Sequence, residues 1–498
     1  MRKTLSLAVA AATMATALIP STSQAETKDD LNWDACPADA SPGIPFPAGM
    51  QCTTLKVPLD YRNPAGPKID VAVSRLPSKD PAKRRGILMT NPGGPAAGLG
   101  YPATLVLAKL PQSVLDQYDV IGFDPRGIGH STPVTCDLTA EQQLYGNIPP
   151  YAKNAADVVK RAGEVQQIAK QCAASKTGSL LPHMSVANVA RDMDQIRSAL
   201  GEAKTSYLGA SWGTHLGAVY TTLFPERSDR FVLDSNLAPG GWDYPSDRLF
   251  SQGVEDRFPD FAAYAAANFR EYGLGRTPAQ VTAKFHELAA RLDKNPIPAD
   301  GVEFDGSMFR LLNFAYSYGA TQMPGLAQLW KSLDAGEPPA PLEASAAKIA
   351  ADGVDQVISG RYAIICNSSR WPTSVKTYQH AVAVDRIRFP LFGAAGANVQ
   401  PCAYWPNPAE PPIQIGDHGP ANVLMVQNLR DPATPLAGAR KMRQALGDRA
   451  TMVTADEGGH GVYVFGKNQC ANYAATTFLT TGVRPAHDYT CTAAASPR

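Results

Sequence analysis

Six short stretches of this chain are apolar at almost every position: Gly86-Ile-Leu-Met-Thr, Tyr118-Asp-Val-Ile-Gly-Phe, Thr205-Ser-Tyr-Leu-Gly, Arg230-Phe-Val-Leu-Asp, Asn422-Val-Leu-Met-Val and Thr451-Met-Val-Thr-Ala. A strand with one face in water alternates apolar and polar residues, so runs without alternation must be covered on both faces. Helical patterns lie between several of them. Across 185–200 the residues Val186, Val189, Ala190, Met193, Ile196 and Leu200 share one face, and Gly201 is placed to end the helix. Such alternation predicts an α/β chain whose mostly parallel sheet carries helices on both sides. Upstream, Leu55-Lys-Val-Pro-Leu-Asp and Lys68-Ile-Asp-Val-Ala-Val-Ser do alternate. With the turn-rich Asn63-Pro64-Ala65-Gly66 between them, they predict an antiparallel pair that opens the sheet.

The alternation stops between about 240 and 415. Helical patterns dominate there: 258–272, then Thr277-Pro278 as N-cap and first residue followed by Val281, Phe285, Leu288 and Leu292, then 308–318 and 326–333. Sheet-type runs resume from Ala421. The expected organisation is a core in two parts, 26–239 and 416–498, with a helical cap inserted at 240–415. At 498 residues the chain has ample length for both. Residues 1–25 stand apart: Arg2 and Lys3 precede an apolar run over 5–19, and Ser23-Gln24-Ala25 ends in small residues. This is the pattern of a secretory signal. The run is shorter than the roughly 20 residues that span a bilayer.

The chain has 46 Lys+Arg and 45 Asp+Glu. Without Arg2 and Lys3 the bases fall to 44, a net charge near −1, which gives no reason to expect nucleic acid or a membrane as partner. Eight cysteines in an exported chain favour disulfides. Short loop closure favours pairing in sequence order, 36–52, 136–172, 366–402 and 470–491. No C-x-x-C spacing and no H-E-x-x-H occur, and His286-Glu287 lacks a second histidine, so neither a metal site nor a cofactor is expected. The loop Asp124-Pro-Arg-Gly127-Ile-Gly129-His-Ser131 fits neither phosphate-binding glycine pattern and reads as a structural loop.

Gly209-Ala-Ser211-Trp212-Gly213 matches G-x-S-x-G, follows a predicted strand and leads into a predicted helix. That context makes Ser211 a candidate nucleophile on a tight turn, of the kind found in α/β-hydrolases. A serine hydroxyl needs a base, and the base needs an orienting acid, in chain order serine, acid, histidine. Asp431 ends the run Val423-Leu-Met-Val-Gln-Asn-Leu-Arg at a proline-rich turn; its plainer role would be to cap the helix that follows, for which Thr434 is better placed. His460, in Glu457-Gly-Gly-His460-Gly, follows the last buried run and is flanked by glycines that free it to reach over the sheet. None of the other seven histidines has this setting; His215, four residues past the serine, is expected to pack within the helix. The tetrahedral intermediate of acyl transfer needs two backbone donors. Trp212 is one candidate, and Gly93 or Gly94 of Asn91-Pro-Gly93-Gly94-Pro95 is the other.

Asn91-Pro-Gly-Gly-Pro, Phe123-Asp-Pro-Arg-Gly-Ile-Gly-His-Ser131, Tyr207-Leu-Gly-Ala-Ser-Trp-Gly-Thr, Leu216-Gly-Ala-Val-Tyr-Thr-Thr-Leu-Phe-Pro225, Ala363-Ile-Ile-Cys-Asn367 and the Asp431/His460 segment together resemble the secreted tripeptidyl aminopeptidases of actinobacteria. These are α/β-hydrolase relatives of the proline iminopeptidases. The resemblance spans most of the mature chain, and enzymes that release tri- or tetrapeptides ending in proline are the nearest group. It implies a monomeric exopeptidase acting on peptides or proteins with a free N-terminus, the cap holding the substrate amine through acidic groups. Glu255, Asp256 and Asp243 are the candidates. Two positions depart from the pattern: Ala96-Ala97 replace glycine in the oxyanion loop, and Ser368 follows Asn367 where an aspartate is common. Fold and triad do not choose the acyl group, so a secreted esterase or lipase is the alternative. A non-catalytic hydrolase-fold binding protein is a third, disfavoured by the presence of all three triad candidates in order.

Overall fold

The structure is a computed structural model that describes residues 31–299, 302–338, 354–406 and 410–492. The expected leader, 1–25, lies outside these residues. A nine-stranded sheet runs in the order β1-β2-β4-β3-β5-β6-β9-β10-β11. Its strands are β1 (Gln51–Pro58), β2 (Lys68–Leu76), β3 (Gly86–Asn91), β4 (Tyr118–Phe123), β5 (Thr205–Ala210), β6 (Ser228–Asp234), β9 (Val423–Arg430), β10 (Ala450–Gly458) and β11 (Tyr489–Cys491). β1 and β2 form the antiparallel entry expected from their alternation, β2 meets β4 antiparallel, and every other pair is parallel. All six continuously apolar runs became strands of this sheet. The sequence reading missed β11 and a small hairpin, β7 (Ile297–Ala299) with β8 (Val302–Phe304). Strands of three residues carry too little pattern to register.

The strand order places the site before any side chain is considered. From β3 the chain steps outward to β4, then returns to lay β5 on the other side of β3. The carboxyl ends of β3 and β5 therefore flank a crevice, the switch point where open α/β sheets bind ligands. One sheet face is covered by the helices Val186–Ala199, Trp212–Leu223 and Leu436–Leu446, the other by Tyr101–Leu107 and Gln469–Thr481.

Between β6 and β9 no described residue joins the large sheet. This insertion holds the helices Tyr244–Ala267, Pro278–Lys294, Gly306–Tyr316, Met323–Asp334, Val354–Cys366 and Val375–Arg388. Its core is largely aromatic: Phe258, Phe261, Phe285, Phe309 and Trp330 contact one another with ring centroids 5.0–6.2 Å apart. Ile148, Tyr151, Val158 and Val165, from between β4 and β5, complete that core. The expected helix at 258–272 instead begins at Tyr244, where Asp243 caps it by accepting the Ser246 N–H at 2.9 Å, and it breaks at Asn268. Gly253 and Pro259 had interrupted its pattern. Gly253 is needed by packing, since a Cβ there would lie 2.4 Å from the Pro432 carbonyl oxygen. Thr277 caps the next helix as expected.

All eight cysteines pair in sequence order: 36–52, 136–172, 366–402 and 470–491. Each closes a loop of 16 to 36 residues, a cross-link of about 3–4 kcal/mol against the unfolded chain in the loop-entropy account.

Candidate active site

Ser211 follows β5 at φ 56°, ψ −124°, a backbone conformation that non-glycine residues seldom adopt. The turn is enforced by close approach on both flanks. A Cβ on Gly209 would lie 2.6 Å from the Gly213 carbonyl oxygen, and one on Gly213 3.0 Å from the Asn91 carbonyl oxygen. Ser211 therefore stands at the N-terminus of the helix Trp212–Leu223, whose first amides and dipole favour negative charge. The Ser211 N–H donates to the Asp234 carbonyl oxygen at 2.9 Å, which fixes the turn to the end of β6.

Asp431 and His460, 29 positions apart in sequence, are in direct contact. The His460 Nδ1 lies 3.0 Å from each Asp431 oxygen. With Nδ1–H donating to the carboxylate, Nε2 is the bare nitrogen, free to accept a proton. Asp431 is buried; its Oδ1 accepts the N–H groups of Ala433 and Thr434 at 2.9 Å, and its Oδ2 accepts the Thr434 hydroxyl at 3.0 Å. Thr434 is therefore not the helix cap: Pro435 holds that position without a side-chain cap, and the threonine turns inward to the acid. Burial opposes the charged imidazole of His460, yet the charge and hydrogen bond of Asp431 outweigh it, and the pKa lies above the ordinary value.

In the loop after β3 one of the two candidate glycines has its amide engaged. The Gly93 N–H is occupied, donating to the Asn91 Oδ1 at 2.9 Å. A Cβ on Gly93 would meet the Ser211 Cβ at 2.7 Å and the Trp212 nitrogen at 3.1 Å, so glycine is what lets this loop lie against the serine turn. Buried Asp124 holds the far end of the loop, accepting the N–H groups of Gly98 and Leu99 at 2.8 Å and that of His130 at 2.8 Å. The loop 124–131, read from sequence as structural, is thus the brace of the glycine loop. Arg126 anchors it beneath, paired with Asp192 at 2.5 Å.

Two contributors escaped the sequence reading. Asp234, the last residue of β6, accepts the N–H groups of Val462 at 2.9 Å and Tyr463 at 2.7 Å, and the Ser235 hydroxyl at 2.9 Å. Ser235 in turn accepts the Gly461 N–H at 2.9 Å. The pair Asp234-Ser235 thereby ties the Ser211 turn to the His460 loop. Burial raises the Asp234 pKa to about 6 even against these donors. The only sequence signal was an acid ending a buried strand. Tyr318 of the insertion is the second: its carbonyl oxygen accepts the His460 N–H at 2.6 Å, and its ring meets the imidazole edge-on with centroids 5.0 Å apart. No motif marked it.

His215 packs as expected, buried with a pKa pushed down to about 4, its ring against Gly241. The three acids considered for the substrate amine differ. Asp243 is engaged as a helix cap. Glu255 is half-buried, accepts the Leu391 N–H at 2.9 Å, and is pushed up to about 7 by burial. Asp256 is exposed beside it. Among the described residues no group of His, Cys, Asp and Glu is arranged to hold a metal ion.

An elbow serine at the switch point of a mostly parallel sheet, with a part-buried histidine paired to a buried aspartate on nearby strand ends, defines an α/β-hydrolase. The chain is 34% identical over 483 residues to a tripeptidyl aminopeptidase of Streptomyces lividans, covering 94% of this chain and 88% of that one. Residues 389–491 match the family model described as TAP-like protein. The protein belongs to the tripeptidyl aminopeptidase family and is a serine peptidase. Two further relatives are a serine protease, Hip1, of Mycobacterium tuberculosis (28% identical, covering 93% of this chain and 91% of that one) and a carboxylesterase B of the same species (31%, 89% and 86%). Among solved structures, a proline iminopeptidase of Mycobacterium smegmatis is 15% identical, with a TM-score of 0.39 over 86% of this chain and 97% of that one, a likeness that adds nothing to the sheet order itself.

Proposed function

We propose that the protein is an exported serine exopeptidase that releases tri- or tetrapeptides from free N-termini through an acyl-enzyme on Ser211, with a preference for proline at the cleaved bond. The observation that carries this reading is the His460–Asp431 pair tied through Asp234-Ser235 to the Ser211 turn, in a chain of this family. Ser211 attacks the scissile carbonyl as its proton passes to the His460 Nε2, and Asp431 stabilises the imidazolium. The amides of Trp212 and Gly94 take the oxyanion, since that of Gly93 is engaged by Asn91. His460 returns the proton to the leaving amine, and water then releases the acyl group by the same steps reversed.

The insertion acts as a cap over 240–415 and closes the acyl end of the cleft, which would fix the cut at a set distance from the amine. Glu255 is the acid best suited to receive that amine: a half-buried carboxyl pushed up to about 7 gains the most from an incoming ammonium. The proposed working unit is a monomer. Four disulfides support export to an oxidising compartment.

Mass spectrometry of products from unblocked and N-acetylated tri- and tetrapeptide anilides tests the reading. Free peptides should be cut at one fixed distance, and undiminished cleavage of the acetylated series would sink it. The relative named carboxylesterase B favours a second reading, an esterase using the same residues. Short-chain nitrophenyl esters that outpace every peptide in kcat/KM would establish that instead.

A further inference from the structure

One carboxylate of the insertion grips the strand ends that carry both Asp431 and His460. Asp260 lies one turn past Arg257 on the helix Tyr244–Ala267, and the two form an ion pair. The same Asp260 oxygen, Oδ2, accepts the Arg430 Nε–H at 3.0 Å. Arg430 is the last residue of β9 and directly precedes Asp431. The Arg257–Asp260 pair rests on Gly458, the last residue of β10 and two positions before His460. A Cβ there would run into the Arg257 Nη1 and the Asp260 Oδ2. Arg257 also reaches the segment that touches the base. Its Nε donates to the Ser317 carbonyl oxygen at 3.1 Å, and the next carbonyl, that of Tyr318, accepts the His460 N–H at 2.6 Å. The Arg430 carbonyl closes the circuit by accepting the Gly459 N–H at 3.1 Å.

The loop that carries His460 needs such support. It has glycine at 458, 459 and 461, with φ of 119° at Gly459 and 95° at Gly461. Glycine gives the backbone wide freedom, so the direction of the imidazole must be set by contacts from outside the loop. An exposed ion pair would do this poorly. Here Arg257 is buried, with 3% of its surface exposed, and its counter-ion is shared with a strand end. An arginine kept only for the fold would be satisfied by a carboxylate on its own helix. Charge-assisted bonds from two guanidinium groups to one oxygen fix direction as well as distance.

We propose that Asp260 is a positioning residue for the reaction: by bridging Arg257 to Arg430 it seats the insertion on the ends of β9 and β10 and holds the His460 loop in place to serve Ser211. The proposal rests on His460 being the base of Ser211. Asp260 itself touches no substrate. The competence of the base then depends on an insertion whose other task is recognition.

The test measures the rate of fluorophosphonate labelling, which needs Ser211 and its base but neither an amine nor a peptide bond, beside kcat and KM on the favoured unblocked peptide. In Asp260→Asn the labelling rate and kcat should fall together by about tenfold with KM changed less than about twofold, because a misplaced catalytic group costs rate rather than binding. Arg430→Gln breaks the same bridge from the strand side and should do the same. The double variant should lose no more than the worse single one, as partners in one contact do. A wild-type labelling rate in Asp260→Asn would overturn the proposal. With unchanged kcat and a lower Tm, the bridge serves the fold alone; with a raised peptide KM, Asp260 contacts substrate. Losses that multiply in the double variant would overturn it as well. Should Asp260→Asn not fold, as judged by its Tm, Arg430→Gln carries the same comparison. His460→Ala separates this proposal from the reading beneath it: labelling should be abolished, and labelling at the wild-type rate would end the triad reading and this proposal with it.

Discussion

The carboxyl edge of the sheet and the insertion above it treat buried charge in opposite ways. At the sheet edge every buried acid is saturated with donors: Asp431 by Ala433, Thr434 and His460, Asp234 by Val462, Tyr463 and Ser235, Asp124 by Gly98, Leu99 and His130. In the insertion the charges fall short. Among the described residues Arg361 has no carboxylate partner, Arg257 leaves its Nη2 and Arg310 its Nε unmatched, and Asp247 and Glu255 are both pushed up to about 7 by burial. Saturation fixes geometry before the substrate arrives, which is what electrostatic stabilisation of a transition state requires. Groups left short keep interaction energy in hand for a ligand. On the proposed function, the first region would serve chemistry and the second recognition.

The comparison breaks most visibly at the sheet edge. Ser211→Ala should abolish fluorophosphonate labelling and lower kcat roughly a millionfold, read on the favoured peptide. Asp431→Asn preserves shape but reverses the donor facing Nδ1, so kcat should fall roughly ten-thousandfold with little change in KM. Asp234→Asn should cost roughly a hundredfold in kcat, because one of its acceptors becomes a donor facing the Val462 and Tyr463 amides and the His460 loop must shift. Wild-type kcat in that variant would end the claim that saturation holds the base in place. Thr434→Val, which removes a single hydrogen bond to Asp431, should cost about tenfold.

The smallest effect is a dependence of stability on pH, to which Asp234, raised to about 6 at the sheet edge, also contributes. The folded-state pKa values of Asp247 and Glu255, both about 7, lie above their unfolded values, so between these limits the folded protein holds protons that the unfolded chain has released. Stability should therefore rise as pH falls from about 8 to about 6, seen as an increase in Tm. His460, also raised, contributes with the same sign, whereas His215, lowered to about 4, opposes once pH falls through its unfolded value of 6.5, so the rise is steepest above pH 7. Glu255→Gln should flatten part of this rise. An unchanged pH dependence in that variant would show that Glu255 is not the group taking up the proton.

Much of the sheet was legible in the chain because burial on both faces leaves a local mark: six runs without polar interruption became six parallel-sheet strands. Ser211 was legible for a related reason, since its turn needs glycines at fixed neighbouring positions, and so was the order of the disulfides, which close short loops. Long helices interrupted by glycine or proline were less so. Tyr244–Ala267 began 14 residues before its pattern did, because its Gly253 answers to Pro432 rather than to the helix.

By itself the sequence determined the sheet, the elbow and the chain order of serine, acid and histidine. Only the tertiary structure decided that Thr434 serves Asp431 rather than the helix, that Asn91 occupies the Gly93 amide, that Asp234 holds a loop 228 positions away, and that Arg361 bonds Asn147 rather than any carboxylate among the described residues. The reason is physical. Periodicity and turn chemistry are properties of neighbours along the chain, whereas a hydrogen-bond partner or a missing counter-charge depends on which strand ends the sheet order brings together.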